Sequence, residues 1–277
     1  MEHKQLIYKS SQISYYRFGT GPKPVICFHG YGEEALSFSF LEHNAGEQFT
    51  FYSIDLPFHG KTVWKEGLNF TNNDLLKIVQ NIRETDNLKL KTQNLKPLLL
   101  GFSLGARIAL SLYQSMPGQI EKLVLLAPDG LKKNFWYWLS THTAAGNRLF
   151  SFTMKHPGWF FGFLKGLNKL RLVNVSIYKF VRHYIGDPVV RRQLYERWTT
   201  LRKLKPRIPL IKSLVRRFKT PVWLIYGQHD RIILPVRGEK FSRGIEDHCR
   251  IVIIESGHQV LHEKHAIAIV NALKAEG

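Results

Sequence analysis

Three short stretches of the chain hold the residue types that acyl chemistry requires. Gly101-Phe-Ser103-Leu-Gly105 carries a hydroxyl between two glycines, Tyr226-Gly227-Gln-His-Asp230 a carboxylate, and Ser256-Gly257-His258 an imidazole. A serine is a weak nucleophile until a base takes its proton, and an imidazole does so best when a buried carboxylate holds it in one tautomer. Ser103 is therefore the expected nucleophile, His258 the base and Asp230 the orienting acid. A fourth stretch, His29-Gly30-Tyr31-Gly32, is a turn whose glycines let backbone approach a ligand closely. Attack on an acyl carbon builds charge on oxygen, which two preorganised N–H groups must face. The expected pair is the amide of Leu104, next to the nucleophile, and the amide of Tyr31. The rivals are His262 and His265, expected inside the following helix, and Asp129, which also ends a strand; Asp230 is preferred for its short spacing to His258.

These groups must be carried to one place by the elements around them. Short apolar runs read as buried strands at 24–28, 49–56, 97–100, 123–127, 221–226 and 250–254. Helix-like segments lie between them at 71–87, 104–115, 237–245 and 259–274, the first opened by the capping residues Thr71-Asn-Asn-Asp74. Residues 5–9 and 13–18 read as an antiparallel hairpin at a sheet edge. Strands alternating with helices imply a mostly parallel sheet covered on both faces. Each chemical stretch begins where a strand ends, so all four are expected at one edge of that sheet.

The charge is unevenly placed. The 277 residues carry 40 Lys+Arg against 21 Asp+Glu, a net of +19. Residues 131–220 hold 20 of the bases and only the acids Asp187 and Glu196, a net of +18, together with 16 of the 35 aromatics. So sharp a break marks an inserted unit. Its interior reads as helix, with Val190, Leu194, Trp198, Leu201 and Leu204 three or four apart. No apolar run reaches the length of a membrane-spanning helix, and no leader is evident at Met1. Cys27 and Cys249 show no metal or disulfide spacing, which suits a reducing, cytoplasmic setting.

On these residues the chain resembles the α/β-hydrolase superfamily. It has the strand–GxSxG–helix context of a nucleophile elbow and the chain order Ser103, Asp230, His258. The run Ser53-Ile-Asp-Leu-Pro-Phe-His-Gly60 resembles the family's turn after the fourth strand, with Phe58 where glycine is usual. The resemblance implies an α/β fold, a mostly parallel eight-stranded sheet with helices on both faces, and a helical lid insertion. The core is expected at 1–128 and 220–277 and the basic, aromatic lid at 129–219. It also implies a serine hydrolase that cleaves a carboxylic ester or related acyl bond through an acyl-enzyme, without cofactor or metal. Arg107 matches a position that holds a substrate carboxylate in a lyase branch of the superfamily, although pairing elsewhere is the preferred reading. Trp136, Trp138, Trp159 and Phe160 are candidates for the pocket lining. The alternatives are C–C bond hydrolysis or a lyase reaction on a small anionic substrate, and a non-catalytic binding protein of this fold. The expected partner is a small acyl substrate. For the basic lid a solvated cap is preferred, with peripheral contact to an anionic membrane second; nucleic acid is not expected, for lack of any binding motif.

Overall fold

The structure, a computed structural model, describes residues 1–85, 95–132, 134–169 and 185–275. Eight strands form one sheet: β1 (Glu2–Tyr8), β2 (Ser11–Phe18), β3 (Lys23–Phe28), β4 (Phe49–Ile54), β5 (Leu98–Phe102), β6 (Lys122–Leu126), β7 (Val222–Gly227) and β8 (Cys249–Ile254). Their order is β1-β2-β4-β3-β5-β6-β7-β8. The β1–β2 hairpin and the β2–β4 pair are antiparallel, and every other pair is parallel. The central strands are unbroken apolar runs because both faces are covered; every residue of β5 and β6 is buried. One of them is Lys122, whose Nζ donates to the carbonyls of Leu273 (2.9 Å) and Ala272 (3.4 Å). The ammonium thus caps the last turn of helix α10 (Ala266–Lys274).

The other helices are α1 (Leu41–Ala45), α2 (Asn72–Thr85), α3 (Leu104–Ser115), α4 (Phe135–His142), α5 (Ala144–Lys155), α6 (Gly158–Lys169), α7 (Pro188–Thr200), α8 (Ile208–Phe218) and α9 (Val236–Ser242). Helix α2 opens with a reciprocal cap: Asp74 N–H donates to Thr71 Oγ1 (3.2 Å), and Thr71 N–H to Asp74 Oδ2 (2.9 Å). Asp74 also accepts from Tyr8 Oη and Lys9 Nζ, both at 2.7 Å, which ties α2 to β1. Residues 86 and 87, the end of the expected helix, lie outside the described residues. At Phe58 the chain takes the left-handed conformation that glycine would allow (φ +62°), at a cost on the order of 1 kcal/mol. The C-terminal helix is shorter than the spacing suggests. Val260 and Leu261 are buried in a loop, a 3₁₀ turn covers Glu263–His265, and α10 follows.

The chain divides into two compact units, one of residues 1–66, 70–132 and 203 onward, the other of 67–69 and 133–202. The first holds the sheet, with α3 almost wholly buried. It also takes α8, which the sequence had placed in the insertion; Ile211 and Val215 are fully buried there. The second holds α4 to α7. Asn134, Thr143 and Asp187 cap three of these helices through side-chain oxygens. Its interior is aromatic: Phe150 packs on Tyr195 and Trp198, and Trp198 on Tyr137, with ring centroids 5.2–5.9 Å apart. Among the described residues no helix is long and apolar enough to cross a membrane.

Candidate active site

Strand order locates the crevice. From β3 the chain leaves for β4 on one side and returns to β5 on the other, so the loops after β3 and β5 diverge from adjacent strands. A parallel sheet opens its binding crevice at such a reversal, beyond the carboxyl ends of the strands. The parallel strands β3, β5, β7 and β8 bring the His29 turn, Ser103, Asp230 and His258 to that same edge.

Ser103 sits between β5 and α3 with φ +50° and ψ −112°, a conformation that non-glycine residues seldom adopt. The turn is held by its backbone. Ser103 N–H donates to Leu126 O (2.9 Å), and Ser103 O accepts from Ala106 N–H and Asp129 N–H, both at 3.1 Å. The flanking glycines are required by space. A Cβ on Gly105 would lie 1.8 Å from Phe28 O, and one on Gly101 2.6 Å from Ala106 Cα. Leu104 is the first residue of α3, so its N–H has no acceptor within the helix and lies next to Ser103 at the helix's positive end.

His258 Nε2 is 3.1 Å from Ser103 Oγ, and His258 Nδ1 is 2.8 Å from Asp230 Oδ2. A carboxylate only accepts, so Nδ1 carries the proton and Nε2 is left to accept from the serine hydroxyl. The other carboxylate oxygen, Asp230 Oδ1, accepts from the N–H groups of Ile232 (2.7 Å) and Ile233 (2.9 Å). The Asp230 side chain is fully buried, whereas that of His258 keeps 23% of its surface exposed. The Phe102 ring packs against the imidazole with centroids 5.4 Å apart.

The side chains of the rivals Asp129 and His262 have other partners. Asp129 Oδ2 pairs with Arg107 Nη1 at 3.5 Å and Asp129 Oδ1 accepts from Gly130 N–H at 2.7 Å. Arg107 therefore has a partner of its own. His262 accepts from Lys264 N–H at the 3₁₀ turn, which His265 ends; neither belongs to the helix in which the sequence placed them. Tyr31 stands in the turn after β3, its ring edge-on to His59 at 6.1 Å. Trp136 and Trp138 lie on α4 and Trp159 and Phe160 on α6; the tryptophans are 73%, 39% and 44% exposed, and Phe160 is half-buried. Among the described residues no group of three or more His, Cys, Asp or Glu could hold a metal ion.

Four further residues shape the site, and the sequence assigned a role to none of them. His29 Nε2 accepts from Leu56 N–H (3.1 Å) while its Nδ1–H donates to Gly30 O (2.8 Å), which pins the turn before Tyr31. Glu33 accepts from Gly30 N–H (3.2 Å) and from Gln259 Nε2 (2.7 Å), joining that turn to the His258 loop. Burial raises the Glu33 carboxyl above the ordinary glutamate range against the pull of these bonds and of His258. Phe102 is the fourth, through the ring contact with His258. The His29–Leu56, Glu33–Gln259 and Phe102–His258 contacts span residues that only the fold makes neighbours.

The sheet order and the elbow define an α/β-hydrolase, and the known relatives agree. The model of the serine aminopeptidase S33 family matches residues 22–265, and the chain belongs to that family of hydrolases. It is 24% identical over 246 residues to the uncharacterized hydrolase YugF of Bacillus subtilis, covering 88% of this chain and 86% of the relative. It is 28% identical over 159 residues to the pimeloyl-[acyl-carrier protein] methyl ester esterase of Nitrosospira multiformis, covering 52% of this chain and 56% of that protein. The structure also superposes on a thermophilic esterase from Thermogutta terrifontis with a TM-score of 0.69 at 17% identity, over 99% of this chain and 98% of the other.

Proposed function

We propose that the protein hydrolyses a carboxylic ester or a related acyl bond, with Ser103 as nucleophile, His258 as base and then acid, and Asp230 as the group that orients it. The observation that carries the reading is the relay of 3.1 Å and 2.8 Å from Ser103 Oγ through His258 to Asp230. In the first half-reaction Oγ bonds to the acyl carbon while its proton passes to Nε2; the Leu104 and Tyr31 amides face the oxyanion. Nε2–H then protonates the leaving alkoxide, and the acyl-enzyme remains. Water repeats the sequence, giving its proton to Nε2 and freeing the acid and Ser103. The ester named for the Nitrosospira relative supports this bond type. The Arg107–Asp129 pair weighs against a carboxylate clamp at Arg107 and so against the lyase alternative.

Substrate preference in this reading is assigned to the aromatic residues Trp138, Trp159 and Phe160 of the second unit. Cys27 and Cys249 are free and buried, consistent with a cytoplasmic site of action. The test is a fluorophosphonate label run beside p-nitrophenyl esters of increasing acyl length. Wild type should label and turn over, and Ser103→Ala should do neither while staying folded. A wild-type protein that neither labels nor cleaves any ester would overturn the reading in favour of an inert binding protein.

A further inference from the structure

The second unit wears on its outside what most soluble domains bury. Helix α5 shows the pattern most clearly. Phe150, Thr153 and Met154 turn inward, while Arg148, Leu149, Phe152 and Lys155 form one exposed stripe at helical spacing. Leu149 and Phe152 are 55% and 51% exposed, with a base at each end of the stripe. Only His156 and Pro157 separate α5 from α6, where Phe163 is 56% exposed beside the exposed Lys165. On α4, Phe135 and Trp136 are 59% and 73% exposed, their rings 5.4 Å apart. These rings are additional to the unit's own core, which Tyr137, Phe150, Tyr195 and Trp198 supply. Between Gly130 and Gly186 the chain contains no Asp or Glu at all.

We infer that the exposed stripe of α5, with the exposed rings of α4 and α6 that flank it along the chain, is a docking surface for an anionic lipid membrane. Large aromatics and leucine alternating with lysine and arginine suit the headgroup boundary, where rings enter the apolar layer and ammonium and guanidinium groups meet lipid phosphates. Charge complementarity excludes the simplest rival. A second copy placing the same face against this one would set base against base, with no carboxylate from residues 130–186 to neutralise either. Nucleic acid would use the bases but would leave the exposed halves of Leu149 and Phe152 in water. Binding of such a surface scales with the apolar area it buries plus its attraction to anionic lipid, and these side chains supply both. The surface does not depend on the esterase reading, because none of its residues belongs to the Ser103 relay.

The experiment is co-sedimentation of the full chain with vesicles of phosphatidylcholine alone, or of phosphatidylcholine with about one third phosphatidylglycerol, at low and physiological salt. Binding to the anionic vesicles at physiological salt, and not to the neutral ones, is expected. Reversing two charges, Arg148→Glu with Lys155→Glu, should weaken it by about tenfold or more. The charge-preserving pair Leu149→Ala with Phe152→Ala should also weaken it by about tenfold or more, since both side chains lose their apolar contact. Circular dichroism and fluorophosphonate labelling of each variant separate lost docking from lost folding, and wild-type labelling reports on the esterase reading independently. Equal binding to neutral vesicles, or no binding to anionic ones, would overturn the inference. So would full binding by the Leu149/Phe152 variant, tighter binding to duplex DNA, or a dimer abolished by these same substitutions.

Discussion

Replacing Asp230 with asparagine changes one oxygen into a donor, and the geometry says which. Oδ1 accepts two backbone N–H groups, at 2.7 Å and 2.9 Å, so the asparagine carbonyl must stay there. Turning the amide round would leave both buried donors facing an NH₂ group, at about 1–3 kcal/mol for each lost acceptor. The NH₂ group is thus forced into the place of Oδ2, 2.8 Å from His258 Nδ1. The ring must then present a lone pair at Nδ1 and carry its proton on Nε2. That proton points at Ser103 Oγ, 3.1 Å away, and the imidazole can no longer accept from the serine. The expected fall in kcat is about 10⁴-fold, equivalent to about 5.5 kcal/mol of barrier. KM should change little, because Asp230 is buried behind the imidazole. Steady-state hydrolysis of a short p-nitrophenyl ester measures both constants. Asp129→Asn is the control; it touches only the Arg107 pair and the Gly130 amide, and should leave kcat within a few-fold. An Asp230→Asn enzyme within about tenfold of the parent would refute the reasoning. An Asp129→Asn enzyme as damaged as Asp230→Asn is expected to be would show that the acid had been misassigned.

Gly105→Ala should destabilise the protein by several kcal/mol in urea unfolding and abolish turnover, because its Cβ would sit 1.8 Å from Phe28 O and 2.7 Å from His29 O, backbone that cannot move aside as a side chain could; a variant as stable as the parent would contradict the elbow packing. Arg107→Ala should leave neutral-ester turnover within a few-fold, whereas a loss confined to carboxylated substrates would revive the lyase alternative. Asp74→Asn should cost about 2 kcal/mol at neutral pH. Burial alone would push the Asp74 carboxyl up, but the bonds from Lys9, Thr71 and Tyr8 outweigh it and hold its pKa far below the ordinary aspartate value. The stability this provides is complete above the unfolded pKa of about 4 and is lost as pH falls toward the folded one. Parent and variant should therefore converge in acid unfolding below about pH 4, and a constant gap down to the lowest pH would show that the carboxylate is not the source.

The candidate site was legible in the sequence wherever it depends on neighbours along the chain. A serine between glycines, after an apolar run and before a helix former, reads as a strand–turn–helix because strand, turn and helix each carry a local signature. The strands were legible for the same reason, since a sheet covered on both faces leaves unbroken apolar runs. Choices between residues far apart in sequence belonged to the tertiary structure. Asp129 and Asp230 both end strands and look alike as text; they separate because Arg107, one turn along α3 from Ser103, claims the first, while the second reaches His258. Val260 and Leu261 share the spacing of a helix yet are buried in a loop, because apolar periodicity records burial and not the backbone path. The basic stretch placed α8 with the insertion by composition, but Ile211 and Val215 are buried in the unit that holds the sheet, since packing follows the apolar stripe and takes no account of charge on the outer face. Glu33 and Gln259 meet at 2.7 Å across 226 residues, a contact written nowhere in the local sequence and made only when two loops arrive at the same sheet edge.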